Sequence, residues 1–189
     1  MNNTKSIYYP PGGILIWIII YLELITFGMA ILALAYYGSE ERELFHNGSL
    51  KLNKTIGTIN TILLLTSGFF VAKGIHFFKA ANIKKTLFYF NWAMIGGLGF
   101  LVLKSFEYYE KLEAGLHMDY NSFFRFYWLL TGFHFIHVLV GLVILLVITF
   151  SIKKKQTEAS FEDIEASASF WHMCDLIWLL LFPMLYLLF

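Results

Sequence analysis

The sequence has little of what soluble enzymes and nucleic-acid-binding proteins depend on. Of its 189 residues one is cysteine, three are proline and 14% are charged. The single thiol, Cys174, excludes an intrachain disulfide and a multi-cysteine zinc site. A net charge of +1 leaves no basic face, which argues against a nucleic-acid partner. No phosphate-binding loop, nucleophile elbow or HExxH motif occurs, so no soluble catalytic site is predicted.

Apolar residues are what the chain has in excess. It is 58% hydrophobic and 19% aromatic, whereas soluble domains are nearer half apolar and a quarter charged. Five runs are long and apolar enough to cross a bilayer. The first is too long for a signal-peptide core, and no small-residue cleavage site follows it, so we interpret it as a retained span. The sequence predicts an all-α, polytopic membrane protein with one domain over residues 1–189. Its predicted spans are about 14–37, 55–78, 87–106, 124–150 and 166–189.

Five spans place the two termini on opposite sides of the membrane. One set of loops carries Lys5, Lys79, Lys84, Lys85, Lys153, Lys154 and Lys155. The other set carries Arg42, Lys51, Lys54, Lys111 and Arg125. Because basic residues are more frequent in cytoplasmic loops, this difference predicts a cytoplasmic amino terminus.

Ionisable side chains within or beside the spans are the candidate functional residues. They are Glu23, Glu107, His134, His137, His172 and Asp175. An acidic residue at mid-helix costs roughly 2.5–3.5 kcal/mol, so we expect these groups to meet each other or to line a shared polar pocket.

Helical spacing indicates which of these groups share a face. His134, His137 and Gly141 lie on one stripe of the fourth span. Trp171, Asp175 and Trp178 lie on one face of the fifth span, where His172 is close enough to Asp175 to form a hydrogen bond.

Three interpretations of these side chains remain open on spacing alone. They could pair across helices and fix the packing of the bundle. They could hold a metal or haem, because histidine is the commonest transition-metal ligand; however, His134 and His137 share one helix and cannot clamp one haem iron from both faces. They could also form a polar pocket for lipid or protons.

The motifs that carry these residues resemble those of a known family. TGFHFIHVLVG resembles the T-G-x-H-x-x-H-V-x-x-G signature of subunit III of the haem–copper oxidases, the subunit 3 of cytochrome c and quinol oxidases. FWHMCDLIW is similar to Y/F-W-H-F-x-D-x-x-W, and NTILLLTSGFFVA to N-T-x-x-L-L-x-S-S, with Gly68 in place of the second serine. KSFEYYE matches the family's E-Y/W element at Glu107 and Tyr108. Glu23 falls where the family has a membrane-embedded glutamate, with Leu22 in place of the usual serine.

The resemblance implies a short bacterial form of the subunit, with the first two helices in one bundle, three in another and lipid in the cleft between them. Such a subunit is not catalytic. It carries no haem or copper, which belong to the partner subunit I, and subunit II joins the same complex. It would support proton uptake, lipid binding and the stability of subunit I in a terminal oxidase that couples O2 reduction to proton pumping. The expected location is the bacterial inner membrane, with the carboxyl terminus periplasmic.

The resemblance also assigns expected roles to the candidate residues. Glu23 would lie near the interface with subunit I or the lipid cleft. The other ionisable residues would join helices within the second bundle, and Trp171 belongs to the same motif as His172 and Asp175.

A second assignment within the family remains open. The run ERELFHNGSLKLNKTIGTINTILLLTS looks closest to short relatives encoded with bacterial nitric oxide reductases, the NorE type. That resemblance implies an accessory or assembly protein instead of a stoichiometric oxidase subunit.

Overall fold

A computed structural model describes residues 10–154 and 160–189. Within those ranges the chain forms only helices: α1 (Ile14–Glu40), α2 (Arg42–Ser49), α3 (Lys54–Lys79), α4 (Ile83–Glu113), α5 (Ser122–Lys153) and α6 (Phe161–Tyr186). All except α2 are long and apolar enough to cross a membrane. The prediction of an all-α, multi-pass membrane protein with five spans is therefore confirmed.

The spans are longer than their apolar runs, because capping side chains set several of their ends. The third span is predicted to cover 87–106, but α4 begins after Asn82, whose side chain accepts a hydrogen bond from the amide of Lys85. It continues through the polar run EYYEKLE and ends before Gly115, which has a positive φ of 72°. In the fifth span, Ser160 and Asp163 form a reciprocal capping box. The helix α6 therefore begins at Phe161, not near residue 166.

The first connection is not the polar loop that its composition predicts. It contains α2, a short helix whose Phe45 is fully buried. The Phe45 ring packs edge-on against Phe123 and Phe189. A segment of eight residues is too short to be stable as a helix by itself, so tertiary packing decides its structure.

The helices are arranged as a core of four with a fifth outside it. Helix α3 packs against α4 and α6, and α5 completes the ring by packing against α4 and α6. Helix α1 lies along α5 and α6. Its buried residues Ile20, Phe27 and Leu34 form one narrow stripe with a spacing of seven residues. The expected two-plus-three grouping is therefore wrong: the second span, α3, belongs to the core, while α1 has one packing face and docks on a single seam.

Glycines allow the core helices to approach closely around Trp171. A Cβ atom on Gly97 would lie 2.6 Å from the Trp171 ring, and one on Gly141 would lie 2.9 Å from it. Trp171 itself is fully buried. Gly97 of α4 and Gly141 of α5 thus make room for the indole of Trp171 from α6.

Gly97→Ala should destabilise this core. The added methyl has no room beside a buried indole, and overpacking of this kind costs about 1–3 kcal/mol. Thermal unfolding of the purified chain in detergent, followed by circular dichroism, should show a lower midpoint.

Gly132→Ala is the matched control, because a Cβ at Gly132 meets no atom within 4 Å. Its midpoint should be unchanged or slightly higher, since alanine favours helix over glycine. Equal midpoints for the two variants would contradict the packing around Trp171.

Candidate functional site

A fully buried ion pair lies within α4. Lys104 and Glu107 have no exposed side-chain surface, and the Lys104 Nζ lies 3.0 Å from the Glu107 Oε2. Lys104 also donates hydrogen bonds to the hydroxyls of Tyr127, at 3.2 Å, and Tyr186, at 2.8 Å. Both hydroxyls donate to the Glu107 Oε1, at 3.0 and 2.6 Å. We call these four residues the Lys104 cluster.

The Lys104 cluster is closed and joins three helices. All three ammonium protons have acceptors, and the carboxylate accepts from the lysine and from one tyrosine each on α5 and α6. A buried charge pair is tolerated only when such additional hydrogen bonds satisfy both groups. The Lys104 Nζ also lies 4.7 Å from the centre of the Tyr127 ring, a cation–π distance. The cluster therefore ties α4, α5 and α6 together away from water.

A second polar pair connects α1 to the core. The Glu23 Oε2 lies 3.2 Å from the His137 Nε2, and the two side chains are 24% and 11% exposed. The angles at this contact do not form a regular hydrogen bond. The other ring nitrogen, Nδ1, lies 2.8 Å from the carbonyl oxygen of Phe133, to which it donates.

The contact between Glu23 and His137 joins α1 to α5 within the membrane-spanning part of the bundle. The bond from His137 to the carbonyl of Phe133 holds the imidazole ring in this orientation.

His134 is held by aromatic rings. It is fully buried, its ring stacks on Trp178 with centroids 5.3 Å apart, and the ring of Phe100 meets it edge-on. Neither ring nitrogen has a hydrogen-bond partner among the residues that the structure describes. The Trp178 Nε1 donates to the Thr61 hydroxyl at 3.0 Å, which links α6 to α3. His134 and His137 thus have different surroundings, although they share a stripe.

The third polar site, formed by His172 and Asp175, lies in a half-open groove between α3 and α6. The Nδ1 of His172 lies 3.2 Å from the Asp175 Oδ2, which confirms the predicted contact within the fifth span. Gly68 of α3 faces this carboxylate, and a Cβ there would lie 1.9 Å from the Oδ2. The absence of a side chain at Gly68 therefore leaves the space that the Asp175 carboxylate occupies.

The predicted residues do not line one shared pocket. Glu107 is in the Lys104 cluster, Glu23 contacts His137, and Asp175 contacts His172. Of the two expected arrangements, four of the groups meet each other in pairs, and the six do not gather in one pocket. The contacts of Lys104 with Glu107 and of His172 with Asp175 lie within single helices, whereas that of Glu23 with His137 joins two. No group of three or more histidine, cysteine or acidic side chains able to hold a metal occurs within 10–154 and 160–189.

Comparison with known proteins decides the family. The family model described as cytochrome c oxidase subunit III matches residues 50–188, which include α3 to α6 and every polar group above except Glu23. The chain belongs to the cytochrome c oxidase subunit III family.

Individual relatives agree with this family. Cytochrome c oxidase subunit 3 of Rhipicephalus sanguineus is 33% identical over 132 residues, covering 69% of this chain and 50% of that protein. Cytochrome bo(3) ubiquinol oxidase subunit 3 of Buchnera aphidicola is 28% identical over 189 residues, covering 99% of this chain and 88% of that protein. The haem-copper oxidase subunit I+III of Aeropyrum pernix is 30% identical over 179 residues. That alignment covers 90% of this chain and 22% of the Aeropyrum protein. The chain therefore spans only part of the length of these relatives, and half of the Rhipicephalus protein.

Sequence reasoning missed Lys104, whose ammonium group contacts the other three members of the cluster. The signal was present, because Lys104 lies inside the predicted third span and three residues before Glu107. Because the predicted third span ends at residue 106, Glu107 falls just outside it, and its pairing with Lys104 is not apparent from the predicted spans. The contributions of Tyr127 and Tyr186 follow only from the packing of α5 and α6 on α4.

Lys104→Met should be strongly destabilising. It leaves the Glu107 carboxylate buried without its cation, a change that typically costs about 3–5 kcal/mol. The double variant with Glu107→Gln should recover most of the loss, because it removes the unpaired charge and keeps an acceptor for the tyrosines. Thermal unfolding in detergent measures both.

Lys73→Met is the matched control, because Lys73 is exposed on α3. Its unfolding midpoint should match that of the wild type. If Lys104→Met were as stable as this control, the charge pair would not be holding the three helices together.

Proposed function

We propose that this chain is a non-catalytic integral subunit of a haem–copper terminal oxidase in a bacterial inner membrane. It associates with the haem- and copper-bearing subunit I, and with subunit II of the same complex. The observation that carries the proposal is the family match over residues 50–188, supported by the alignment along 99% of the chain with a bo(3) oxidase subunit 3. The chain contributes stability to subunit I, and electron transfer takes place in its partners.

The proposed contribution to stability rests on the Lys104 cluster. Its four side chains form hydrogen bonds to one another inside the bundle, and these bonds fix three spans relative to each other. A rigid bundle of this kind can hold a neighbouring subunit in one arrangement without taking part in its chemistry.

The proposed contribution to proton uptake rests on Glu23 and His137. Glu23 contacts His137 within the span and keeps partial access to the surface of the bundle. Intramembrane acids of this kind occur in proton relays. Glu23 would exchange a proton with a path supplied by subunit I, while His137 holds the carboxyl in place.

We also propose that the amino terminus is cytoplasmic and the carboxyl terminus periplasmic. Lys79, Lys84, Lys85, Lys153 and Lys154 lie at the end of the bundle where α1 and α6 begin. This supports the charge bias predicted from sequence. Lys5 and Lys155, which the prediction also used, lie outside the described residues.

A phospholipid is proposed in the cleft between α1 and the core. The cleft has a volume of about 490 Å³ and is lined mainly by apolar side chains such as Ile16, Val147 and Phe170. Asp163 and Ser167 lie at its end near the start of α6. An acyl chain fits the apolar part, and a headgroup with hydrogen-bond donors fits the acidic end.

Purification in mild detergent tests the assignment. We expect an amino-terminal tag on this chain to bring down a large haem-containing subunit in a one-to-one ratio, seen by mass spectrometry and a reduced-minus-oxidised spectrum. A tag at the amino terminus leaves the contacts of Phe189 with Phe45 intact. A colourless chain arriving alone would favour an accessory protein of nitric oxide reductase, and haem on the isolated chain would contradict both assignments.

Glu23→Gln tests the proton role. The amide can donate to the His137 Nε2, so helix α1 should stay docked and the complex should assemble. The amide cannot take up or release a proton, so turnover should fall or inactivation should become faster. Oxygen consumption over many turnovers measures this. Unchanged turnover with intact assembly would make Glu23 a packing residue only.

A further inference from the structure

Two exposed lysines lie beside aromatic rings on the outer face of α3 and α4. On α3, the Lys73 Nζ lies 5.6 Å from the centre of the Phe69 ring. On α4, the Lys85 Nζ lies 4.8 Å from the centre of the Phe77 ring, which α3 contributes. We call this surface the α3–α4 patch; it consists of Phe69, Phe70, Lys73, Phe77, Lys85 and Tyr89.

The aromatic rings of the patch form one connected row. The ring centroids of Phe69 and Phe70 are 5.9 Å apart. Phe70 contacts Tyr89 of α4 at 6.1 Å, and Tyr89 stacks on Phe77 at 5.2 Å. The two helices therefore share one apolar surface, which has a lysine at each end of the row.

The charges of these two lysines are not compensated by acidic side chains of the same chain. Neither Lys73 nor Lys85 lies within ion-pair distance of a carboxylate among residues 10–154 and 160–189. By contrast, the Nζ of Lys79, the last residue of α3, lies 3.5 Å from the Glu165 Oε1. An aromatic ring attracts an ammonium group but does not neutralise it, so the patch is complementary to an anion.

The depth of the lysines in the membrane suits a lipid phosphate. The 26 residues of α3 span about 39 Å, about 9 Å more than the hydrocarbon core of a bilayer. With the helix centred, the Cα of Lys73, six residues before the end of α3, lies about 4 Å inside that core. Its flexible stem lets the ammonium group reach the headgroup level. Lys85, two residues after the start of α4, already lies near that level.

The patch lies on the side of the core opposite the cleft beside α1. Helix α1 packs along α5 and α6, whereas α3 and α4 pack on each other at the opposite edge of the core. The cleft has the acidic Asp163 at its end, and the patch has two uncompensated cations. The two places are therefore complementary to lipids of different charge.

We propose that the α3–α4 patch binds an anionic phospholipid, with the headgroup at Lys73 and Lys85 and an acyl chain against the aromatic row. Phe69 is 56% exposed and lies one turn deeper along α3 than Lys73. Charge at the interface and an apolar surface below it follow each other in the same order as in a phospholipid. A free phosphate ion would match the lysines and leave the rings uncovered. The proposal uses only contacts within this chain, so it does not depend on the partner subunits.

Titration of the purified full-length chain with phosphatidylglycerol, followed by native mass spectrometry, tests this site. The double variant Lys73→Gln with Lys85→Gln removes both charges of the patch. We expect its Kd for phosphatidylglycerol to rise roughly thirtyfold, about fivefold for each lysine near a membrane surface. Phosphatidylcholine with the same acyl chains has no net charge and should bind the wild type and the variant alike. Helical content should not change, because both lysines are exposed.

The double variant Lys54→Gln with Arg125→Gln is the matched control. It also removes two exposed positive charges, and both lie at the other end of the bundle, where α3 and α5 begin. Its Kd for phosphatidylglycerol should equal that of the wild type. An unchanged Kd in the lysine variant would overturn the site. The same rise in both double variants would also overturn it, because binding would then depend on net charge alone.

Two further comparisons distinguish other occupants of the patch. Sodium phosphate and sodium chloride at equal ionic strength should weaken lipid binding equally, through screening. Stronger displacement by phosphate would overturn the lipid in favour of a site for the free ion. If the lysine variant kept its affinity for phosphatidylglycerol but no longer purified with a haem-containing subunit that the wild type retains, an acidic protein segment would be the occupant and the proposal would be overturned.

Discussion

The membrane interior offers no water to a charged side chain, and the rest of this structure depends on how the chain meets that constraint. Lys104 and Glu107 are charged, fully buried and one turn apart on α4. They are stable there only because Tyr127 and Tyr186 complete their hydrogen bonds from two other helices. The positions of α5 and α6 are therefore fixed by chemistry as well as by shape, with Trp171 between two glycines as the apolar counterpart.

The three polar places differ in how far they are closed. The Lys104 cluster is sealed and uses all of its donors. The contact of Glu23 with His137 lies at the seam where α1 joins the core, and both side chains are partly exposed. His172 and Asp175 lie in the groove between α3 and α6, where the His172 side chain is 45% exposed. The exposure of the polar side chains thus increases from the cluster to the groove.

The sequence predicts the elements of this fold better than their arrangement. Apolar runs define the five spans, and helical spacing predicts the contact of His172 with Asp175, because both depend on local geometry. Lys104 could have been found from its position three residues before Glu107. The tyrosines that complete its cluster, the separation of Glu23 from Glu107, and the docking of α1 outside the core depend on which helices are neighbours. That information is not contained in any one helix, and an expectation of two bundles did not supply it.

The account holds that the buried charge pair of Lys104 and Glu107, completed by tyrosines of α5 and α6, fixes these three helices relative to each other. A density map of the complex purified through this chain, with side chains visible, tests this most directly. The account predicts the hydroxyls of Tyr127 and Tyr186 within hydrogen-bond distance of the Glu107 carboxylate. A Glu107 side chain that contacts neither tyrosine would contradict it.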